Sequence, residues 1–161
     1  MTEFSFEGVS AMLALQQLVS NYWNELDSNA ARNITDFYAE DCRFSAGTIH
    51  DSTGRAGVRK FYDERAHLVR DEKGGIRTTR HTSTNLRISL HEADRATLDF
   101  VLINYSGAGA PPIGGFEGPT MVSDVRMECR REGREWRIVS FRGTPIFVGD
   151  EPFTQKVLAR K

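Results

Sequence analysis

Helices first and a run of antiparallel strands afterwards make this chain an α+β domain, in which a curved, mostly antiparallel sheet wraps against N-terminal helices. Three observations predict it. An apolar stripe of helical period occupies the first third of the chain. From Ile76 onward the period changes to two, in four stretches over roughly 76–90, 95–106, 119–131 and 135–148, parted by turn material. With 161 residues the chain holds one well-cored domain and is too short for two ordinary ones, so 1–161 reads as a single unit with its core at about 6–148 and a tail over 149–161.

The first helix runs from about Phe6 to Leu26. Val9, Met12, Leu15, Val19, Tyr22 and Leu26 recur three and four apart, and Leu13, Leu18 and Trp23 widen the stripe. Asp27-Ser28-Asn29 are cap-favouring residues that end it. A shorter helix is predicted from Ala30 to Tyr38, then a short strand over Cys42-Arg43-Phe44-Ser45. Gly54 and Gly57 open a third helix, Val58 to about Val69, with Val58, Phe61, Tyr62, Arg65 and Leu68 at helical spacing. Glu132-Gly133-Arg134 marks a hairpin, and the stretch from Gly107 to Gly115, with Pro111 and Pro112, is long enough to fold over an opening. Phe147, Phe153 and Val157 can fold back over the mouth of a pocket.

Composition narrows the function classes. Twenty-one basic residues balance 22 acidic ones for a net charge of -1, which gives no nucleic-acid surface, and the Arg126–Arg137 cluster is interleaved with acids. No apolar run reaches the roughly 20 residues of a membrane span. Met1 to Gly8 hold two acids and no base, unlike a secretory signal, so a cytoplasmic protein is expected. Cys42 and Cys129 lack metal-ligand spacing and read as small buried thiols. The four histidines, His50, His67, His81 and His91, are scattered over different elements, and no metal site is expected. The Gly/Pro stretch lacks the strand–turn–helix context and the lysine of a phosphate cradle, and no cofactor is expected.

The chemistry concentrates on Arg80-His81-Thr82-Ser83-Thr84-Asn85-Leu86-Arg87-Ile88. On a regular strand His81, Ser83 and Asn85 share one side, and Leu86, Ile88 and Leu90 the other. An imidazole among polar neighbours is either a hydrogen-bonded structural residue or a proton carrier. In the next strand Leu98, Phe100, Leu102 and Asn104 share a face; in the third, Met121, Ser123, Val125, Met127 and Cys129; in the last, Trp136, Ile138, Ser140 and Arg142. A charge such as Arg142 on an apolar face is paired or functional.

Trp23-Asn24-Glu25-Leu26-Asp27, His81-Thr82-Ser83-Thr84-Asn85-Leu86-Arg87 and Trp136-Arg137-Ile138-Val139-Ser140-Phe141-Arg142, in this order, resemble the nuclear transport factor 2-like superfamily. The similarity is to its branch of SnoaL-like proteins, scytalone dehydratase, lindane dehydrochlorinase and bile-acid dehydratases. The resemblance implies a cone-shaped barrel with a strongly curved sheet and a pocket between sheet and helices, and a homo-oligomer, dimer or trimer, through the outer sheet face. It implies that Asp27 orients His81 as general base and that Arg142 meets developing negative charge. It also matches Tyr22 to a bile-acid dehydratase tyrosine, although five helical residues set Tyr22 and Asp27 about 140° apart.

The reading that follows is a cofactor-free lyase or isomerase, dehydratase- or cyclase-like, acting on a small, largely apolar oxygenated or cyclic substrate. Tyr22 and Asn104 would hydrogen-bond it, and Trp23, Phe100, Leu102, Met121, Met127 and Trp136 would wall it. Two alternatives stand beside it. One is an assembly subunit resembling ring-hydroxylating dioxygenase β-subunits, with Leu86, Ile88 and Leu90 at an interface. The other is a small-molecule binding protein without turnover.

Overall fold

The structure is a computed structural model that describes residues 5–47 and 50–158. The opening segment weighed above as a signal therefore lies half outside the described residues. Helix α1 spans Phe6–Asn29 and begins at Ser5, whose hydroxyl accepts from the Gly8 N–H at 3.0 Å. Leu15, Val19, Tyr22, Trp23 and Leu26 bury one face. It ends where Ala30 and Ala31 adopt φ of 52° and 59°, a left-handed conformation that cannot propagate a helix of L-residues. The second helix expected over Ala30 to Tyr38 is therefore absent: a single 3-10 turn, Ile34–Phe37, leads straight into strand β1, Tyr38–Ala46.

Strand β2, His50–Thr53, is too short to leave a periodic signal and pairs antiparallel with β1. Helix α2, Gly54–Arg70, follows at once. A Cβ on Gly57 would lie 2.6 Å from the Ser52 Cβ, so the bare glycine lets α2 lie close against β2. The four long strands are β3, Arg77–Glu92; β4, Arg95–Ala108; β5, Met121–Glu132; and β6, Glu135–Val148. They form the expected antiparallel meander. Helix α3, Pro152–Leu158, closes the described chain.

The sheet runs β2-β1-β6-β5-β4-β3, and β6 pairs with β1 in parallel, so the sheet is mixed. The barrel and strongly curved sheet that the family resemblance implied are corrected here. A barrel requires its first and last strands to hydrogen-bond, whereas β2 and β3 are the two edges of an open sheet. The fold is α+β with flanking helices: α1 packs on β3 and α2 on β1 and β2. Cys42 and Cys129 are buried free thiols within the core, as composition suggested.

Two bulges reset which side chains face the helices. In β3, Thr84 opposes Val101 and Arg87 opposes Asp99, so Asn85 and Leu86 together face Phe100. Asn85 takes up the extra residue at φ 55°. Parity flips, and Leu86 and Ile88 pack onto the core instead of forming an outer contact surface. In β6, Ser140 opposes Glu128 and Ile138 opposes Cys129, which leaves Val139 as the inserted residue. Trp136, Ile138 and Phe141 then point inward and Arg142 outward.

The β3 bulge generates a stability prediction. Asn85→Gly should leave urea stability nearly unchanged, while Asn85→Val should lower it by about 1–2 kcal/mol, the cost of a left-handed L-residue. Equal stability of the two variants would mean the bulge is not held by that conformation.

Candidate functional site

Asp27 occupies the last turn of α1, one step from the helix end, and its carboxylate is not spent on capping. The helix end is closed by backbone N–H groups donating to the Glu25 carbonyl, and the Glu25 carboxylate accepts from the Asn33 N–H at 2.6 Å. Asp27 instead reaches β3. Its Oδ1 accepts from His81 Nδ1 at 2.6 Å and from the Thr79 hydroxyl at 2.9 Å, and its Oδ2 from the His81 backbone N–H at 2.8 Å. The side chains of His81 and Asp27 are only 8% and 9% exposed. An ionised carboxylate can only accept, so Nδ1 carries a proton, and in the neutral ring Nε2 is then the acceptor. The indole of Trp23 stacks on the imidazole at 4.8 Å and 16° and fixes its plane.

Burial pushes the Asp27 carboxyl upward, but the His81 and Thr79 hydrogen bonds and the charge of His81 outweigh it and hold the group below its usual value of 3.8. The pair is thus an ionised carboxylate behind an imidazole, an arrangement consistent with general acid–base chemistry.

His81 lines a cavity of about 140 Å³ between the sheet and the helices. Trp23 and Leu26 from α1, Phe61, Tyr62 and Arg65 from α2, and Phe44 from β1 form one side. Leu102, Asn104 and Ser106 from β4, Met121, Ser123 and Val125 from β5, and Phe141 and Pro145 from β6 form the other. Phe153, Thr154 and Val157 of α3 supply a further wall. The 107–115 stretch contributes nothing to it, and Phe147 is 69% exposed.

Of the side chains expected around the substrate, Trp23, Leu102, Asn104 and Met121 reach the cavity with His81. Asn104 sits directly across from His81 in the β3–β4 register. Its Oδ1 is buried without a partner, as is the Trp23 Nε1–H, among the described residues. Phe100, Met127 and Trp136 are buried in the core away from that wall. Arg142 is exposed, opposite Arg126 on the outer face, in a groove with Asp99 and Asp124, because the β6 bulge turned it away.

Tyr22 is also not at the cavity. It is fully buried, and its hydroxyl bonds those of Tyr38 and Tyr62 at 2.8 Å each. The unbroken helix keeps the angular separation from Asp27 anticipated above. Tyr62 does line the cavity, and burial pushes its phenol up to about 12, so it is a neutral hydrogen-bonding group.

Sequence reasoning missed Arg65. It lay in plain view at a core-facing position of α2, where a long side chain with a buried stem is the ordinary explanation. Desolvation draws its guanidinium below the usual value, yet such a group keeps its charge at working pH. Phe153 and Val157 reach the cavity as the tail was expected to, whereas Arg77 and Glu151 were unforeseen. Arg77, with 1% of its side chain exposed, binds Glu72 and Glu151 at 2.8 Å and the Ser106 hydroxyl at 2.6 Å, and lies 3.9 Å over the Phe153 ring. It fastens α3 in place. Among the described residues no cluster of three His, Cys, Asp or Glu is arranged for a metal, and no helix is long and apolar enough to cross a membrane.

An open mixed sheet, helices on one face and a buried carboxylate–imidazole pair at an apolar cavity define a class of small α+β pocket proteins. The chain belongs to the SnoaL-like domain family, whose model matches residues 7–142, and has the nuclear transport factor 2-like fold. No curated protein matches it by sequence. Three solved structures from Novosphingobium aromaticivorans share the fold. One, provisionally named a scytalone dehydratase, has TM-score 0.73 at 17% identity, over 89% of each chain. A second, provisionally named an aromatic ring hydroxylase, has TM-score 0.68 at 19% identity, over 91% of this chain and 97% of that one. The third, an NTF2-like protein with a cystatin-like fold, has TM-score 0.67 at 18% identity, over 96% and 97%.

The site predicts a pH effect. Because the Asp27 pKa is lower folded than unfolded, its stabilisation is fully present above the usual value of 3.8 and is lost as pH falls through the folded value. Urea unfolding should show a smaller acid loss of stability in Asp27→Asn than in the wild type. Identical acid limbs would mean that these donors do not hold the carboxylate.

Proposed function

We propose that this protein is a cofactor-free lyase or isomerase that removes a proton from carbon in a small, largely apolar oxygenated or cyclic substrate. One observation carries the reading: His81 has one nitrogen fixed by Asp27 and the other unclaimed among the described residues, at a cavity walled mainly by aromatic and aliphatic side chains. Nε2 takes the proton next to a carbonyl. The carbon–hydrogen electron pair moves toward the oxygen, and Asp27 stabilises the imidazolium. A leaving group on the next carbon then departs, or the proton returns at another carbon. The eliminating members of the superfamily are the finer branch this reading favours, with all of 1–161 acting as one domain.

The assembly-subunit reading draws less support, since of its expected contact residues Leu86 and Ile88 pack on the core and only Leu90 is exposed. Arg142, on the opposite face of β6, takes no part in the proposed step.

The reading is tested with two probes that give the same conjugated ketone, followed by its ultraviolet absorbance. A β-hydroxy cyclohexanone reports elimination, and a β,γ-unsaturated cyclohexenone reports isomerisation. His81→Ala should lower the rate by roughly 10²- to 10⁴-fold, the usual worth of general-base help, and Asp27→Asn should lower it without abolishing binding. Variants as active as the wild type, or a wild type inert toward both probes, would overturn the assignment.

A further inference from the structure

Among the described residues, the cavity wall carries a guanidinium with no ion-pair partner. Arg65 extends from α2 into the wall, half-buried, and among the described residues makes no hydrogen bond or ion pair. Its guanidinium lies 5.7 Å from the Phe153 ring and feels the charges of Asp27 and Glu72 without bonding either. The carboxylates whose charge reaches it, Asp27 and Glu72, are bonded to other groups, as are Asp63 and Glu151. Asp63 pairs with Arg59 at 2.9 Å, Asp27 holds His81 and Thr79, and Glu72 and Glu151 both pair with Arg77 at 2.8 Å. A guanidinium kept partly out of water and lacking a partner is unfavourable unless something brought into the cavity supplies negative charge.

Size sets a second limit. A cavity of roughly 150 Å³ lined by apolar side chains accommodates one benzene molecule, and this one measures about 140 Å³. Phe44, Phe61, Phe141 and Phe153 present aromatic surface around it. The Asn104 amide adds one unpartnered polar atom opposite His81. The space fits a single six-membered ring with few substituents.

We infer that Arg65 is the oxyanion anchor of this site and that the substrate is a monocyclic ketone whose oxygen becomes an enolate against that guanidinium; the substrate class rests on the proton-transfer reading above. The step balances. The bond from the carbon beside the carbonyl to hydrogen breaks, the proton goes to His81 Nε2, and the electron pair ends on the oxygen facing Arg65. Reprotonation or loss of a leaving group discharges the enolate. Arg65 supplies the charge stabilisation that sequence reasoning had placed on Arg142, and it does so from a helix.

The test reads binding without turnover. 4-Nitrophenolate, a single ring with a delocalised oxyanion, is titrated by its absorbance into wild type, Arg65→Gln and Arg65→Lys, with far-UV circular dichroism confirming the fold. The wild type should bind the ionised form in preference to the phenol. Arg65→Gln should weaken binding by roughly 10- to 100-fold, the worth of a charge-assisted hydrogen bond, and remove that preference. Arg65→Lys, which keeps the charge and loses the planar fork, should fall between and serves alone if the glutamine variant does not fold. A fused-ring naphtholate should bind at least about tenfold weaker, since it exceeds the cavity. A wild type that does not bind nitrophenolate, an Arg65→Gln variant that binds it equally well, or naphtholate binding as tightly would overturn the inference. Nitrophenolate binding that depends on Arg65, in a protein inert toward both ketone probes, would instead overturn proton transfer and leave the anchor standing.

Discussion

A single carboxylate, Asp27, ties the end of the first helix to the edge strand of the sheet, and the geometry of the site depends on it. It accepts three hydrogen bonds from β3, two from side chains and one from the backbone. The backbone bond fixes the strand relative to the helix, and the imidazole bond fixes the ring relative to the strand. A group held this way serves architecture and chemistry at once. Burial of the carboxylate is tolerable only because all three donors are present. Trp23, from the same helix, sets the plane of the same ring. Helix, strand and imidazole therefore move as one body.

Much of this was legible before any coordinates. The helical stripe of α1 and the period-two runs of β3 to β6 emerge from residue spacing, because each element buries one face over many residues. Asp27 and His81 stood out because the family motif joins them across a long stretch of chain. What failed to show has physical causes. Strand β2 and helix α3 are shorter than the window in which a period can be recognised. The helix expected after Asn29 fails because two alanines adopt a left-handed backbone, a choice their residue type does not signal. Arg142, Leu86 and Ile88 were assigned to the wrong faces for one shared reason: a single inserted residue inverts every assignment beyond it. Bulges at Val139 and at Asn85 carry no mark in a one-sequence reading.

The polar groups of the interior divide into two kinds. Tyr22, Tyr38 and Tyr62 satisfy one another through their hydroxyls in the core, so their burial costs little and they lock α1, β1 and α2 together. Among the described residues, Trp23 Nε1 and Asn104 Oδ1 are left unsatisfied, and Arg65 makes no ion pair. All three belong to residues of the cavity wall. Mutually satisfied tyrosine hydroxyls in the core and unmet capacity in the cavity wall suit a scaffold that keeps polar contacts for a guest.

The clamp on the last helix bears on how that hollow communicates with water. Terminal segments ordinarily fray residue by residue. Here one guanidinium, Arg77, grips Glu151 by charge and Phe153 by its ring, and braces itself on Glu72 and Ser106. The grip lies at the start of the helix and not in its last described turn. Displacing α3 from the hollow would have to break both attachments of that one guanidinium, the ion pair to Glu151 and the contact with the Phe153 ring.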